Sequence, residues 1–175
     1  RFASRPGVTG NGIPYWVGGI DDTLSGANEG NGLFAGTGAS VIYKGGDLLP
    51  GAPAPLDVNP VDFDVRFSAL GNHHICGLLL DVSSSSDFFV AVDGAPMTVD
   101  GAAVREGTAI PASVGAGPGE SWASFDFFGI TEQGTTLVTG DTDGAAATDE
   151  FIMVDAVFRY REGDVVDVRT LTGSI

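Results

Sequence analysis

Apolar and polar positions alternate with a period of two along much of this chain, and that pattern predicts strands. In Asp62–Phe67 the side chains of Phe63, Val65 and Phe67 fall on one face, and those of Asp62, Asp64 and Arg66 on the other. Tyr15–Ile20 and Ala39–Lys44 are earlier strands, and Ser121–Ile130 and Thr135–Thr139 are later ones. Glu150–Arg161 reads as the longest. On it Ile152, Val154, Ala156, Phe158 and Tyr160 make one apolar face, with Asp155, Arg159 and Arg161 opposite. Asp164–Leu171 follows the Glu162-Gly163 turn as a last strand. The apolar runs His74–Val82 and Asp87–Asp93 flank four serines, Ser83–Ser86, and together read as a hairpin.

Turn chemistry punctuates these runs. Asp93-Gly94 and Asp100-Gly101 mark tight turns within Phe88–Val104. Gly45–Pro60 holds prolines at 50, 53, 55 and 60 and reads as an extended connection, because proline cannot continue a helix. Asp21–Gly32 and Pro111–Glu120 are polar or Gly/Pro-rich loops, and no segment keeps a helical period over ten residues. The fold expected is therefore all-β, a jelly-roll barrel or sandwich of about eight to ten strands, with an immunoglobulin-like sandwich as the alternative. Arg1–Gly12 lacks periodicity and reads as an extended N-terminal arm, with residues 13–175 forming a single β domain. A chain of 175 residues suits one core of that kind.

Charge changes the picture. Against 8 basic residues stand 23 acidic ones, giving a net charge of −15. Asp outnumbers Glu 17 to 6, and Arg outnumbers Lys 7 to 1. So negative a surface repels itself at low ionic strength, whereas at 1 M salt the Debye length shrinks to about 3 Å and the repulsion is screened. This balance points to a high-salt environment; an acidic protein of a high-GC bacterium or its phage is the alternative source. No basic stripe exists to neutralise phosphates, which argues against nucleic acid as a partner. Direct membrane insertion is not expected either, since the longest apolar run, Ile75–Leu80, is interrupted by Gly77 and falls far short of about 20 residues. Arg1–Gly12 contains no apolar stretch of the signal-peptide kind.

Chemistry-bearing clusters are few. Asn72-His73-His74-Ile75-Cys76 gathers both histidines and the only cysteine. On a strand His73 points away from His74 and Cys76, so at most two zinc ligands share a face, and Cys76 reads as a small core residue. Thr139–Glu150 places Asp141, Asp143, Gly144 and Glu150 at the third, fifth, sixth and twelfth positions of a calcium loop, with Thr139 at the first. Its flanks read as strands, so the expectation is a solvated acidic turn; Asp141, Asp143 and Glu150 are the residues that would hold calcium. No cofactor is otherwise implied. The chain has no G-x-S-x-G elbow, and Gly115–Ser121 lacks the lysine of a phosphate loop. No catalytic residue is assigned, and the protein is not expected to be an enzyme. Among the aromatics Phe63, Phe67, Phe125 and Phe127 are expected in the core. Tyr15-Trp16, Tyr43, Trp122 and Tyr160 could offer a stacking platform, with Trp16 the best exposed candidate. Arg1, Arg5 and Trp16 are the candidate partner contacts.

The arm, the Gly/Pro connections, the strand ladder from Val61 to Leu171 and the Asp-over-Glu, Arg-over-Lys balance together resemble a small single-jelly-roll capsid protein. The type is that of haloarchaeal icosahedral viruses with an internal membrane. The resemblance implies a shell subunit that contacts copies of itself and other capsid proteins through its loops and N-terminal arm, located in the virion capsid. Decoration proteins of tailed viruses are similar in size and composition. A secreted carbohydrate-binding β-sandwich module, extracellular or at the cell surface, is the alternative from another class.

Overall fold

The computed structural model describes residues 2–20, 30–57 and 64–165, and across these the chain is built from β-strands. Four form the first sheet, in the order β1 (Phe2–Val8), β2 (Pro14–Ile20), β3 (Gly30–Ala35) and β4 (Ser40–Lys44). A second sheet holds β5 (Asp64–Phe67), β6 (His74–Leu79), β7 (Phe88–Val92) and the short β8 (Ala95–Pro96). The two-residue strands β9 (Thr98–Val99) and β10 (Ala102–Ala103) pair with each other. A third sheet holds β11 (Trp122–Ile130), β12 (Thr136–Thr142), β13 (Glu150–Val154) and β14 (Val157–Arg161).

All the pairings are antiparallel, and within each four-stranded sheet the strands follow one another in chain order. The all-β expectation is met. The connectivity is that of meanders; a jelly roll interleaves Greek-key strands from distant parts of the chain.

Side-chain burial arranges the sheets in three layers. Cys76, Leu78 and Leu80, with Phe89 and Ala91, pack against Val17, Leu33 and Tyr43 of the first sheet. The alternate positions Ile75 and Val90 pack against Trp122, Phe128, Val138, Phe151 and Met153 of the third. The second sheet is thus the middle layer, apolar on both faces. That explains why β6 and β7 read as unbroken apolar runs while β12 alternates strictly between buried and half-buried positions. Gly77 lies beneath the rings of Phe88 and Phe128. A Cβ there would sit 2.3 Å from the Phe88 ring and 2.8 Å from that of Phe128, so only glycine fits.

Several expectations are corrected. Glu150–Arg161 is a hairpin and not one strand, because Asp155 (φ 49°) and Ala156 (φ 62°) form its two-residue turn. Both central residues of such a turn need positive φ, usually signalled by glycine. Here hydrogen bonds do the work instead: Asp155 Oδ1 accepts from the Thr136 N–H at 2.8 Å, and the Asp155 N–H donates to the Thr136 carbonyl at 3.1 Å. The expected apolar face is accordingly broken: Phe151 and Met153 are buried, and Ile152 and Tyr160 are exposed. In β11 the register shifts between Phe125 and Phe127, which turns Phe127 outward (44% exposed) and buries Phe128. Gly30–Ala35, the first part of which reads as loop, is a strand closed between β2 and β4. The arm is extended as expected, but Phe2–Val8 pairs with the chain's own β2, so this part of it belongs to the first sheet. The two Asp-Gly turns are present, with positive φ at Asp93, Gly94, Asp100 and Gly101. Phe63, most of the expected strand Asp164–Leu171, and residues 21–29 of the first polar loop lie outside the described residues.

Candidate assembly surfaces

The outer face of the third sheet follows from strand register. Phe127 pairs with Thr139, Thr139 with Ile152, and Ile152 with Tyr160, so these four side chains stand in one row across all four strands. A second row, Gly129, Leu137, Val154 and Val157, runs beside it. Phe127, Ile152, Val157 and Tyr160 are each about two-fifths exposed, an apolar patch laid across the sheet. Arg66 from β5 reaches over one end of it, its guanidinium 5.6 Å from the Phe127 ring centre.

An acidic row borders this patch. Asp141 pairs with Glu150 across the β12–β13 ladder, and Asp126 and Glu162 help line a groove of about 380 Å³ that also holds Ile152 and Tyr160. The carboxylates strain one another. Burial and then the charge of Asp141 push Asp126 above the ordinary aspartate range. Glu162 is raised as well, first by lost hydration, then by the hydrogen bond its protonated form donates to Asp149 and by the charges of Glu150, Asp149 and Asp141. Like charges this close oppose one another's ionisation.

The first sheet has a matching outer row. Trp16 pairs with Phe34 and Phe34 with Val41, while Val17, Leu33 and Tyr43 point into the core. The rings of Trp16 and Phe34 stack nearly parallel, 5.5 Å apart at an interplanar angle of 11°. Beside them an apolar groove of about 570 Å³ is lined by Pro6, Gly7, Val8, Pro14, Tyr15 and Trp16. Tyr15 lies across Gly7, where a Cβ would fall 2.1 Å from its ring. Arg5 lies in β1 within this sheet; Arg1 falls outside the described residues.

The residues of the calcium-loop spacing serve separate tasks. Asp141 Oδ2 accepts from Ser124 at 2.7 Å, and Asp143 Oδ1 accepts from the Ser121 N–H at 2.6 Å. Glu150 opens β13. Among the described residues no three His, Cys, Asp or Glu side chains converge as a metal site.

The histidine pair comes together with Tyr43 and Asp93, which the sequence had placed in an aromatic platform and a tight turn. His73 Nδ1 lies 2.8 Å from Asp93 Oδ2, and the His74 N–H donates to Asp93 Oδ1 at 2.8 Å. His74 Nε2 lies 2.9 Å from the Tyr43 hydroxyl, which accepts from the Gly94 N–H at 3.0 Å. The Tyr43 hydroxyl and a neutral His74 ring share this hydrogen bond, one donating and the other accepting. Burial lowers the His74 pKa, against the pull of Asp93, and so agrees with the neutral form. Burial raises Asp93, but the hydrogen bonds from His73 and His74 outweigh it and hold the carboxyl below its usual range. Tyr43 and Cys76 are both pushed well up by burial, and Tyr43 is only 1% exposed. The network clamps β4 of the first sheet to β6 and the Asp93-Gly94 turn of the second.

A second clamp holds the third sheet. Arg161 Nη1 and Nη2 each lie 3.0 Å from an oxygen of Glu120, and Nη2 also donates to the Thr148 carbonyl. The ion pair ties Pro111–Glu120 to the end of β14. Trp122, an aromatic candidate for stacking, is buried (1% exposed) and packs edge-on against Phe151 and Phe158. Among the described residues no helix is long and apolar enough to cross a membrane. No protein-family model, curated protein or solved structure matches the chain.

Proposed function

We propose that this protein is a structural assembly subunit, a capsid-shell or decoration component that works in high salt and carries out no catalysis. One observation carries the reading: two apolar rows lie on the outward faces of the two outer sheets. The middle layer packs the first sheet on one side and the third on the other, so these rows face opposite directions. A subunit that joins neighbours on two sides needs such a pair of surfaces, whereas a binding module needs one. The charge supports the setting. With a net charge of −15, copies repel in dilute buffer and approach freely when molar salt screens them. The polar clusters support it too, since the Tyr43–His74–Asp93 group ties the first layer to the second and the Glu120–Arg161 pair braces the third.

The test is solution mass, read with far-UV circular dichroism, in multimolar KCl and in dilute buffer. Self-association in high salt is expected. A folded monomer in both, over a wide concentration range, would exclude the assembly role. The alternative of a carbohydrate-binding module rests on the Trp16–Phe34 stack beside its groove. It requires a change in tryptophan fluorescence when a glycan is added, with Trp122 silent in the core.

A further inference from the structure

We infer that copies of this chain join through a proline-rich loop, residues 48–55 of one copy, seated in the apolar groove beside Trp16 of the next. The inference rests on the assembly reading and adds one particular knob and one particular socket.

The knob is held in shape by the chain around it. The Gly46 N–H donates to the Leu56 carbonyl at 2.9 Å, and the Leu56 N–H to the Asp47 carbonyl at 2.8 Å, which closes the loop at its base. Leu49 and Leu56 anchor it in the core between the first two sheets. At the tip the Ala52 N–H donates to the Leu49 carbonyl at 3.0 Å across Pro50 and Gly51 (φ 81°), the residue order of a type II turn. What this frame leaves outside is apolar: Leu48 is 65% exposed, and Pro50, Pro53 and Pro55 are exposed with it. Proline fixes φ, so the loop has little freedom left to lose on docking. The socket has matching chemistry. Its walls are Pro6, Val8 and Pro14 with the rings of Tyr15 and Trp16, and no charged residue lines it. Aromatic-lined grooves of this kind dock proline-rich segments.

Register keeps knob and socket apart within one copy. The groove lies on β1 and β2, at the end of the first sheet where Tyr15 pairs with Ala35 and Ala35 with Ser40. The loop leaves the other edge strand, β4, at the opposite end, after Lys44 has paired with Gly32. The second sheet repeats this separation. Asn11, in the turn joining β1 to β2, donates to the Leu70 carbonyl ahead of β6, whereas Leu56 bridges to Leu80 beyond the end of β6. With its six residues β6 spans about 20 Å. A copy therefore does not fill its own groove; it offers a knob at one corner and a socket at another. Such a contact repeats, and gives a ring where its rotation closes and a filament or lattice where it does not. A loop tip in a groove covers far less than the about 1,200 Å² of a standard interface, so one contact is weak and an array gains because each copy makes two. Residues 48–56 carry no charge, and neither does the groove lining, so molar salt screens the repulsion between acidic copies and leaves this contact intact.

Complementation between two variants tests this. Val8→Lys puts a charge in the groove and Leu48→Lys puts one on the loop; the two positions are 66% and 65% exposed, so the fold should hold. Val8→Ser and Leu48→Ser replace them if circular dichroism shows that a lysine disturbs it. In multimolar KCl each variant alone should self-associate about tenfold or more weakly than the wild type, read by light scattering. Mixed in equal amounts, at concentrations where the wild type associates, they should form one-to-one dimers, because one keeps the knob and the other the groove. Titrating Val8→Lys into Leu48→Lys should also shift tryptophan emission through Trp16, since Trp122 is buried. If either variant alone associates as the wild type does, the contact lies elsewhere; the inference falls and the assembly reading stands. If both are weakened but the mixture stays monomeric, knob and groove do not meet, and the inference falls again. Emission that shifts with a glycan and not with the second variant gives the groove to a sugar and overturns it too. If the wild type itself never associates, both readings fall.

Discussion

The two outer sheets treat the core alike and the solvent differently. Each sends alternate side chains against the middle layer, Val17, Leu33 and Tyr43 from one and Val138, Phe151 and Met153 from the other. Outward, each shows an apolar row; around it the β11–β14 sheet gathers carboxylates, and the strands of the β1–β4 sheet have none. A net charge of −15 is therefore not a uniform coating. Carboxylates gather on the strands of the β11–β14 sheet, where they raise one another's pKa, and the strands of the β1–β4 sheet carry none. Such a division has little to do with holding the fold, which needs only the inward faces, and much to do with what each outward face can meet.

The two tryptophans give the sharpest contrast. Trp122 is enclosed by Phe125, Phe151 and Phe158, so Trp122→Ala should cost about 3–5 kcal/mol. Trp16→Ala, on the outward row, should cost well under half of that; chemical unfolding of both variants in 2 M KCl makes the comparison. Equal losses would mean that Trp16 belongs to the core and that the outer row is not a surface. Next in size is Arg161→Ala, which leaves Glu120 largely buried without its partner and should cost roughly 3 kcal/mol. The expected sign of specificity is a loosened Pro111–Glu120 segment, seen as faster amide exchange there than in β1–β4.

Tyr43→Phe should cost about 1–3 kcal/mol, since it strands the Gly94 N–H and His74 Nε2 in a buried site. If the clamp acts between the first two layers, exchange protection should fall in β4 and β6 and not in β12 or β13. The smallest effect is one of pH. His74 has a folded pKa below its ordinary value, so the unfolded chain takes up the proton first. Its contribution to stability is present above about pH 6.5 and is lost as the pH falls toward the lower folded pKa. Asp93, also lowered, loses its contribution only at far lower pH. Glu106, Asp126 and Glu162 are raised and act in the opposite sense, gaining stability on protonation. The difference between wild type and His74→Gln isolates the histidine. Between pH 7 and 5.5 the wild-type melting temperature should drop more than that of the variant; parallel slopes would remove His74 as the cause.

The candidate surfaces were partly legible beforehand. Trp16 stood out because it is flanked by Pro14 and Gly18-Gly19, and it does lie on an outward row. The Phe127–Tyr160 row was hidden, because a strict alternation put Phe127 inside and made Ile152 and Tyr160 part of a core face. The bulge in β11 shifts the alternation there by one residue, and on β13 it is Phe151 and Met153, not Ile152, that take the covered face. A shift of one moves every later side chain to the other face. Tyr43 and Asp93 gave no signal as a pair, being 50 positions apart.

By itself, then, the sequence determined the strand-rich class, the Asp-Gly turns, the Ser83–Ser86 hairpin and the strongly acidic charge. These are local or compositional properties, set by a two-residue period, by which residues accept positive φ, and by a sum over side chains. Only the tertiary structure decided the three layers, the clamps between them and which apolar residues face outward. The physical reason is that a strand has two faces, and its own sequence does not say whether both are covered. In β6 and β7 a sheet lies on either side, so consecutive apolar residues, Ile75 to Leu78 and Phe89 to Ala91, are buried whichever face they take. In β13 only one face is covered, and Ile152, as apolar as its neighbours, is left at the surface.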